Sequence, residues 1–168
     1  GLLKTAIRDD NPVIFLENKL LYGVKGEVPA DAPVPPLGQA AVVRAGEDVT
    51  LVAYSRMVSL ALAAAETLDG AGISAEVLDL RTLVPLDADA LLASVAKTRR
   101  AVLVEEDTRR GGVGAEVAAL LAERAFGTLD SPVRRVACED VPIPCSPALE
   151  EAVLPSVGKI VAAVESLV

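Results

Sequence analysis

The chain of 168 residues contains no histidine. Histidine is the commonest general base in enzymes, the most frequent metal ligand and the third member of most nucleophile triads. Its absence disfavours a self-contained active site of any of these kinds.

Cysteine is also scarce, because Cys138 and Cys145 are the only two in the sequence. Zinc and redox sites use closely spaced cysteine pairs, and a disulfide framework needs more than two cysteines. These two thiols lack that spacing, so we interpret both as packing residues.

Basic residues are outnumbered by acidic ones, 16 to 24, which gives a net charge of −8. No basic stripe with interleaved aromatic residues is present to follow a phosphate backbone, so the composition argues against nucleic acid as a partner. An acidic surface suits a basic protein partner, although the same charge is as well explained as a means of keeping the domain soluble.

Long apolar runs are missing as well. No apolar segment reaches the length of a bilayer span, and the chain does not open with a basic segment followed by an apolar one. These absences predict that the chain has neither a membrane segment nor a signal peptide, and the expected location is cytoplasmic.

The clearest positive pattern lies in residues 101–126, which predict a strand, a glycine turn and a long helix in direct succession. Apolar residues at helical spacing predict a helix over residues 57–69, and Asp87 is a good N-cap for a second helix over residues 88–97. Strands and helices alternate through the rest of the chain. This order predicts an α/β fold with three layers, in which a mixed, mostly parallel five-stranded sheet with one antiparallel edge strand lies between two layers of helices. The segments 40–44 and 49–54 flank a short connection, so we expect them to pair directly as an antiparallel hairpin.

The amino-terminal part follows a different pattern. Residues 13–17, VIFLE, predict a strand that has no obvious partner nearby. Residues 23–38 are interrupted by glycine and proline, which favours an extended linker. We therefore expect residues 1–22 to be the tail of an upstream domain, residues 23–38 to be a linker, and residues 39–168 to form the main domain.

The glycine turn 111–114, GGVG, is the first candidate site. It follows a strand and opens a helix, so its backbone N–H groups could hold a phosphate. The third glycine of the dinucleotide fingerprint and the Gly-Lys-Ser/Thr of the P-loop are both missing. A tight turn with close packing is the favoured explanation.

Charged residues around this turn are the second candidate. Glu105, Glu106 and Asp107 could transfer protons or bind a hard cation, or they could form a solvated loop. Arg109 and Arg110 would make a charged interface patch with them. A similar ambiguity surrounds Arg81, which lies between Asp79 and Asp87 and could serve only to hold a loop in place.

Six motifs resemble those of a known family, in order and over nearly the whole chain. They are NPVIFLENKLLYG (11–23), PLGQA, EDVTLVAYSRMV (47–58), DLRTLVPLD (79–87), GGVGAEVAAL (111–120) and EDVPIPCSPALEEAVLP (139–155). The chain resembles the carboxyl-terminal part of the beta subunit of the thiamine-diphosphate-dependent decarboxylase component of 2-oxo acid dehydrogenase complexes. KGEVP (25–29) is similar to the acetoin dehydrogenase branch, but the pyruvate and branched-chain members are too close to separate from it.

The resemblance implies a division of labour. Residues 13–17 would be the last strand of a pyrimidine-binding domain, and Gln39 would open a transketolase-type carboxyl-terminal domain. The whole enzyme would use thiamine diphosphate and magnesium for oxidative decarboxylation, whereas the catalytic glutamate and histidine of the family lie upstream. This chain alone is therefore expected to be inactive and to bind neither cofactor.

The resemblance also implies three partners: an alpha subunit, a second beta subunit, and the small basic subunit-binding domain of the acyltransferase core. Asp130 and the carboxylate of Val168 match positions that take part in that docking in some members. The sequence departs from the family at Cys145, where an aromatic residue is common, and at Ser59, where a histidine is common, so contacts made by those side chains are not transferred.

Three interpretations follow from the sequence. The first is a beta-subunit fragment that serves dimerisation and core docking. The second is an active half that complements a separate amino-terminal domain. The third is an unrelated α/β module that binds phosphate through GGVG.

Overall fold

The computed structural model describes residues 1–28, 30–31 and 34–168. The strands are β1 (Ala41–Arg44), β2 (Val49–Ala53), β3 (Ala75–Asp79), β4 (Ala101–Thr108) and β5 (Arg134–Cys138). The helices are α1 (Leu2–Arg8), α2 (Met57–Asp69), α3 (Ala88–Thr98), α4 (Val113–Arg124), α5 (Pro147–Val153) and α6 (Val157–Glu165), and a short 3-10 helix covers Lys19–Leu21.

The strands form one five-stranded sheet in the order β1-β3-β2-β4-β5. β2, β3, β4 and β5 run parallel to one another, and β1 lies antiparallel to β3 at one edge. The predicted α/β class, the five strands and the single antiparallel edge strand are confirmed.

Apolar side chains on both faces of the sheet are buried, because helices cover each face. Alternate residues of β2, β3 and β4, such as Leu51, Val77 and Val102, pack with α2 and α6. Their neighbours, such as Val52, Leu78 and Leu103, pack with α3 and α4. The central strands therefore lie between two apolar layers, as near-continuous apolar runs predict.

The predicted hairpin between the first two strands is wrong. β3 lies between β1 and β2, and the connection 45–48 crosses the amino end of β3 instead of making a tight turn. The backbone N–H groups of Glu47 and Asp48 both donate to the carbonyl oxygen of Ser74, at 3.0 and 2.9 Å. Gly46 permits this crossing, because a Cβ there would lie 2.2 Å from backbone atoms of Ala75.

The predicted strand at residues 13–17 is also not formed, and these residues make no sheet pairing in the described structure. Ile14 and Leu16 are 87% and 86% exposed. A strand needs a neighbouring strand to complete its backbone hydrogen bonds, and none of the five described strands pairs with this segment. Pro29 and Pro33 of the predicted linker lie outside the described residues, and residues 23–28 have no regular secondary structure.

The end of the linker is attached to the loop between β3 and α3. The backbone N–H of Gly38 donates to Thr82 Oγ1 at 3.0 Å, and that of Ala40 donates to Asp87 Oδ2 at 2.9 Å. Asp87 Oδ1 accepts the N–H of Ala90, so the same side chain caps α3 as the sequence predicted.

Candidate functional site

The predicted site residues divide between the two ends of the parallel strands. Glu105, Glu106, Arg109 and Arg110 lie at the carboxyl end of β4 or just beyond it, and Arg81 follows the carboxyl end of β3. We call this the carboxyl edge of the sheet. Asp130 precedes β5, and Val168 follows a helix that returns from the carboxyl edge, so both lie at the opposite, amino edge.

Glu105 is the buried centre of the carboxyl edge. Its side chain is 1% exposed, and its Oε2 accepts the backbone N–H of Gly114 at 2.7 Å. Its Oε1 has no hydrogen-bond partner within residues 1–28, 30–31 and 34–168. Burial raises the pKa of the Glu105 carboxyl, and the hydrogen bond from Gly114 and the nearby Arg135 oppose that shift.

This arrangement decides what the glycine turn can bind. The amino end of α4 would attract an anion, but the carboxylate of Glu105 already occupies it. Gly112 and Gly114 are required by this contact, because a Cβ on either would lie 2.7 Å or less from a carboxylate oxygen of Glu105. The glycines therefore serve close packing, and a phosphate here would face a like charge.

Among the described residues, those around Glu105 do not fit thiamine diphosphate or its metal ion. No group of three or more potential metal ligands is present among them. The cavity beside Glu105, which Tyr54, Leu80 and Val117 help to line, has a volume of about 10 Å³. That volume is about enough for one water molecule.

Tyr54 lies against the same cavity and was not identified from the sequence. Burial raises the pKa of its phenol to about 12, and the negative charge of Glu105 adds to that shift. The phenol therefore stays protonated at neutral pH. In that form it can donate or accept a hydrogen bond but does not act as a general base.

Glu106 joins three parts of the chain. Its Oε1 accepts Arg56 Nη1 at 2.8 Å, and its Oε2 accepts Asn18 Nδ2 at 2.9 Å. Arg56 follows β2, whereas Asn18 caps the 3-10 helix Lys19–Leu21. Glu106 therefore ties the amino-terminal segment to the carboxyl edge.

The three arginines predicted at this edge have separate partners. Arg109 Nη2 donates to the carbonyl oxygen of Arg135 at 3.1 Å, and Arg110 Nε pairs with Asp140 at 3.0 Å. Arg81 holds its loop through its backbone, because its N–H donates to Asp79 Oδ1 at 2.9 Å and its φ is +57°. Among the described residues, Glu105 and Glu106 therefore make no salt bridge with Arg109 or Arg110, and a charged interface patch at this edge stays a prediction.

Asp130 and the chain end are each contacted by one of two adjacent arginines that directly precede β4. Arg99 pairs with Asp130 through both oxygens, at 2.9 Å from Nε to Oδ2 and 2.6 Å from Nη2 to Oδ1. Arg100 Nε donates to the carbonyl oxygen of Leu167 at 2.9 Å. The hydrogen bonds from Arg99 hold the pKa of Asp130 below its ordinary value, so Asp130 is ionised at neutral pH.

Arg99 and Arg100 were not identified from the sequence. A pair of arginines between a helix and a strand is a common surface pattern, and their partners lie 31 and 67 residues away. No local signal indicates such pairings.

Comparison with known proteins places the chain in a family. The model of the family described as "Transketolase, C-terminal domain" matches residues 38–160. The chain belongs to the transketolase C-terminal domain family.

The relatives of this transketolase C-terminal domain have related names. It is 48% identical to the pyruvate dehydrogenase E1 component subunit beta of Rickettsia felis, over 99% of this chain and 51% of that protein. It is 46% identical to the 2-oxoisovalerate dehydrogenase subunit beta of Bacillus subtilis, over 99% of this chain and 52% of that protein. It is 48% identical to the acetoin:2,6-dichlorophenolindophenol oxidoreductase subunit beta of Cupriavidus necator, over 97% of this chain and 48% of that protein.

These matches confirm the resemblance to beta subunits that the motifs indicated, and the pyruvate, branched-chain and acetoin types remain close together. The transketolase C-terminal domain with its amino-terminal segment spans about half the length of these relatives. A solved structure described as "Split gene transketolase, inactive beta4 tetramer" has 34% sequence identity and a TM-score of 0.72, over 84% of this chain and 45% of that one. It shares the fold.

In the part of the chain that the structure describes, every helix is too short or too polar to cross a membrane.

Proposed function

We propose that this chain is an assembly part of the decarboxylase component of a 2-oxo acid dehydrogenase complex. In this proposal it pairs with a second beta-type subunit, contacts an alpha subunit, and docks the basic subunit-binding domain of an acyltransferase core. Thiamine diphosphate and magnesium would be bound by other parts of the whole enzyme.

The observation that carries the docking proposal is that two adjacent arginines at the amino edge contact both segments: Arg99 pairs with Asp130, and Arg100 donates to the carbonyl oxygen of Leu167. We call Asp130 together with the carboxylate of Val168 the docking pair. A net charge of −8 would attract a basic domain over a distance and speed its association.

Two further observations support the absence of thiamine chemistry in this chain alone. The chain has no histidine, and the amino end of α4 is filled by the carboxylate of Glu105. The solved relative described as an inactive tetramer of beta chains supports self-association without activity. We therefore expect this chain to associate with copies of itself and to decarboxylate nothing.

The domain boundaries of the proposal depend on the amino-terminal segment. Ile14 and Leu16 are almost fully exposed, and the backbone of residues 13–17 pairs with no strand among the described residues. We propose that residues 1–22 complete the sheet of a pyrimidine-binding domain, that residues 23–38 are the linker, and that residues 39–168 are the transketolase-type domain.

The docking proposal is tested by calorimetric titration of the purified chain with a synthetic subunit-binding domain of a pyruvate-type acyltransferase. We expect binding that weakens with added salt and that Asp130→Asn reduces by about tenfold, a typical loss when one partner of an interfacial charge pair is removed. Equal affinity of the variant and the unmodified chain would refute the role of Asp130. Turnover of pyruvate or 2-oxoisovalerate by the chain with thiamine diphosphate and magnesium would refute the proposed lack of activity.

A second function is favoured by the unpaired segment 13–17. In that case the chain reassembles with a separate amino-terminal half and an alpha subunit into an active decarboxylase. Mixing the three components and measuring oxidation of a 2-oxo acid would test it. The absence of restored activity would count against this alternative while leaving the docking proposal intact.

A further inference from the structure

Asp130 already has an ion-pair partner within its own chain, which donates to both of its oxygens. Arg99 Nε and Nη2 donate to Oδ2 and Oδ1 at 2.9 and 2.6 Å, in the parallel, two-bond geometry that suits a guanidinium and a carboxylate. Any cation of a docking partner would have to share or replace this contact.

The position of Asp130 does not depend on that ion pair. Its backbone N–H donates to the carbonyl oxygen of Arg99 at 2.9 Å, and the preceding residues Thr128 and Leu129 both donate to the carbonyl oxygen of Ala125, at 2.9 and 3.2 Å. The loop that carries Asp130 is therefore held by main-chain hydrogen bonds that would survive loss of the Arg99 side chain.

The backbone of Arg99 is likewise fixed without its side chain. Arg99 is the C-cap of α3, with φ of +61°, and its N–H donates to the carbonyl oxygen of Val95 at 2.8 Å. Only the guanidinium and its stem are free to turn away, and the side chain is 52% exposed. Exposed ion pairs are weak, since water competes for both charges, so a partner could displace this one.

Arg100 contrasts with Arg99 although the two are adjacent. It is partly buried, and its guanidinium donates to the main-chain oxygens of Leu167 and Asp48, at 2.9 and 3.3 Å. It thus supports the chain end and the β1–β2 connection. Among the described residues it makes no hydrogen bond to Asp130, although its positive charge adds to the lowering of the pKa of Asp130. The two neighbours therefore have different roles.

We infer that Arg99 is a built-in competitor for Asp130, which lowers the affinity of the docking pair for a basic partner and is displaced when that partner binds. The inference rests on the proposed docking function and adds its regulation. Without a partner, Arg99 neutralises Asp130. With a partner, the lysine or arginine of that partner takes the carboxylate, and Arg99 turns into solvent.

The test is the calorimetric titration described above, made with Arg99→Gln, Arg99→Lys, Asp130→Asn and the double variant. Arg99→Gln should bind the synthetic subunit-binding domain about two- to five-fold more tightly than the unmodified chain, which is the factor expected when an exposed competing ion pair is lost. Its affinity should also fall more steeply with salt. Arg99→Lys keeps the charge but loses the fork of two donors, so its affinity should lie between that of the unmodified chain and that of Arg99→Gln.

Arg124→Gln is the matched control for charge. Arg124 is 51% exposed and pairs with Asp89 at 3.7 Å, so its loss makes the same change in net charge. We expect it to raise the affinity by less than Arg99→Gln, because it removes only long-range repulsion. Urea unfolding of each variant checks that the fold is retained.

The outcomes separate the inference from the function on which it rests. A gain for Arg99→Gln that disappears in Arg99→Gln/Asp130→Asn supports the inference. If Asp130→Asn weakens binding but Arg99→Gln leaves it unchanged or weakens it too, then Arg99 positions Asp130 and the inference is wrong. If Asp130→Asn does not change the affinity, the docking role of Asp130 is refuted, and the inference about Arg99 is refuted with it. An equal gain for Arg99→Gln and Arg124→Gln would show a general charge effect and overturn the inference.

Discussion

The crossing of the β1–β2 connection over β3 can be tested by adding one methyl group. In Gly46→Ala the new Cβ would lie 2.2 Å from the carbonyl carbon of Ala75 and from the backbone nitrogen of Glu76. Both neighbours are main-chain atoms of a central strand, so neither can move aside. The connection itself has to lift away from the sheet.

Lifting the connection removes identifiable contacts. The N–H groups of Glu47 and Asp48 would lose the carbonyl oxygen of Ser74, each worth about 0.5–1.5 kcal/mol. Crowding of a packed interior costs about 1–3 kcal/mol more. The lower freedom of alanine in the unfolded chain offsets about 0.4–1 kcal/mol. We therefore expect the free energy of unfolding to fall by about 2–5 kcal/mol, a large part of the 5–15 kcal/mol typical of a domain.

The measurement is urea unfolding followed by far-ultraviolet circular dichroism. Gly158→Ala is the matched control, because it makes the same chemical change in α6, where no neighbour lies within 4 Å of the new Cβ. It should stabilise the chain by up to about 1 kcal/mol. If Gly46→Ala unfolds at the same urea concentration as the unmodified chain, the connection does not cross β3 as described.

Three further predictions concern single side chains. Because burial raises the pKa of Glu105, the folded chain binds its proton more tightly than the unfolded chain, and the contribution of Glu105 to stability falls as pH rises above the ordinary glutamate range. Glu105→Gln removes this pH-dependent loss of stability. The urea midpoint of the variant should therefore rise relative to that of the unmodified chain between about pH 4 and 7. Parallel pH profiles of the two midpoints would contradict the prediction. Asp87→Asn should keep the cap of α3 but lose the hydrogen bond to Ala40, so hydrogen exchange at the N–H of Ala40 should become faster. Asp87→Ala should lower the free energy of unfolding by a further amount of about 1–2 kcal/mol, because the cap is lost as well. Unchanged exchange at Ala40 would show that Asp87 does not hold the linker end. Glu106→Ala should change the free energy of unfolding by about 1 kcal/mol or less, yet speed proteolysis of residues 18–22, and equal cleavage rates would remove Glu106 as their anchor.

The parts of the fold that depend on local pattern were predictable. The apolar spacing of α2 placed that helix at residues 57–69 as observed, and Asp87 marked the start of α3 because a carboxylate can accept the free N–H groups of a first turn. The parallel sheet followed from the alternation of strands and helices, since a parallel pair needs a long crossover.

The parts that depend on pairing between distant residues were not. A short connection between 40–44 and 49–54 is compatible with a hairpin, and only the insertion of β3 between the two strands excludes it. Glu105, Glu106 and Asp107 were interpreted either as a chemical site or as a solvated loop, yet β4 continues through them to Thr108, and Glu105 is buried with a hydrogen bond from the N–H of Gly114. α5 was missed because its seven residues bury no side chain and so show no apolar stripe.

The candidate site shows the same limit. Motif resemblance indicated Asp130 and Val168, but nothing near either residue in the sequence indicates the two arginines that hold them. Glu105 and Glu106 are adjacent and chemically alike, but their contacts differ. Glu105 is buried and accepts the N–H of Gly114, whereas Glu106 accepts Asn18 of the amino-terminal segment.

β1 also determines how copies of the domain can meet. An exposed edge strand is a template on which another chain can add and start a stack of sheets. β1 has only four residues, loses regular register between Val42 and Arg44, and ends in a charge. It makes a poor template, so we expect concentrated solutions of this chain to resist fibril growth from that edge, and the contact between beta-type subunits to use helices or loops.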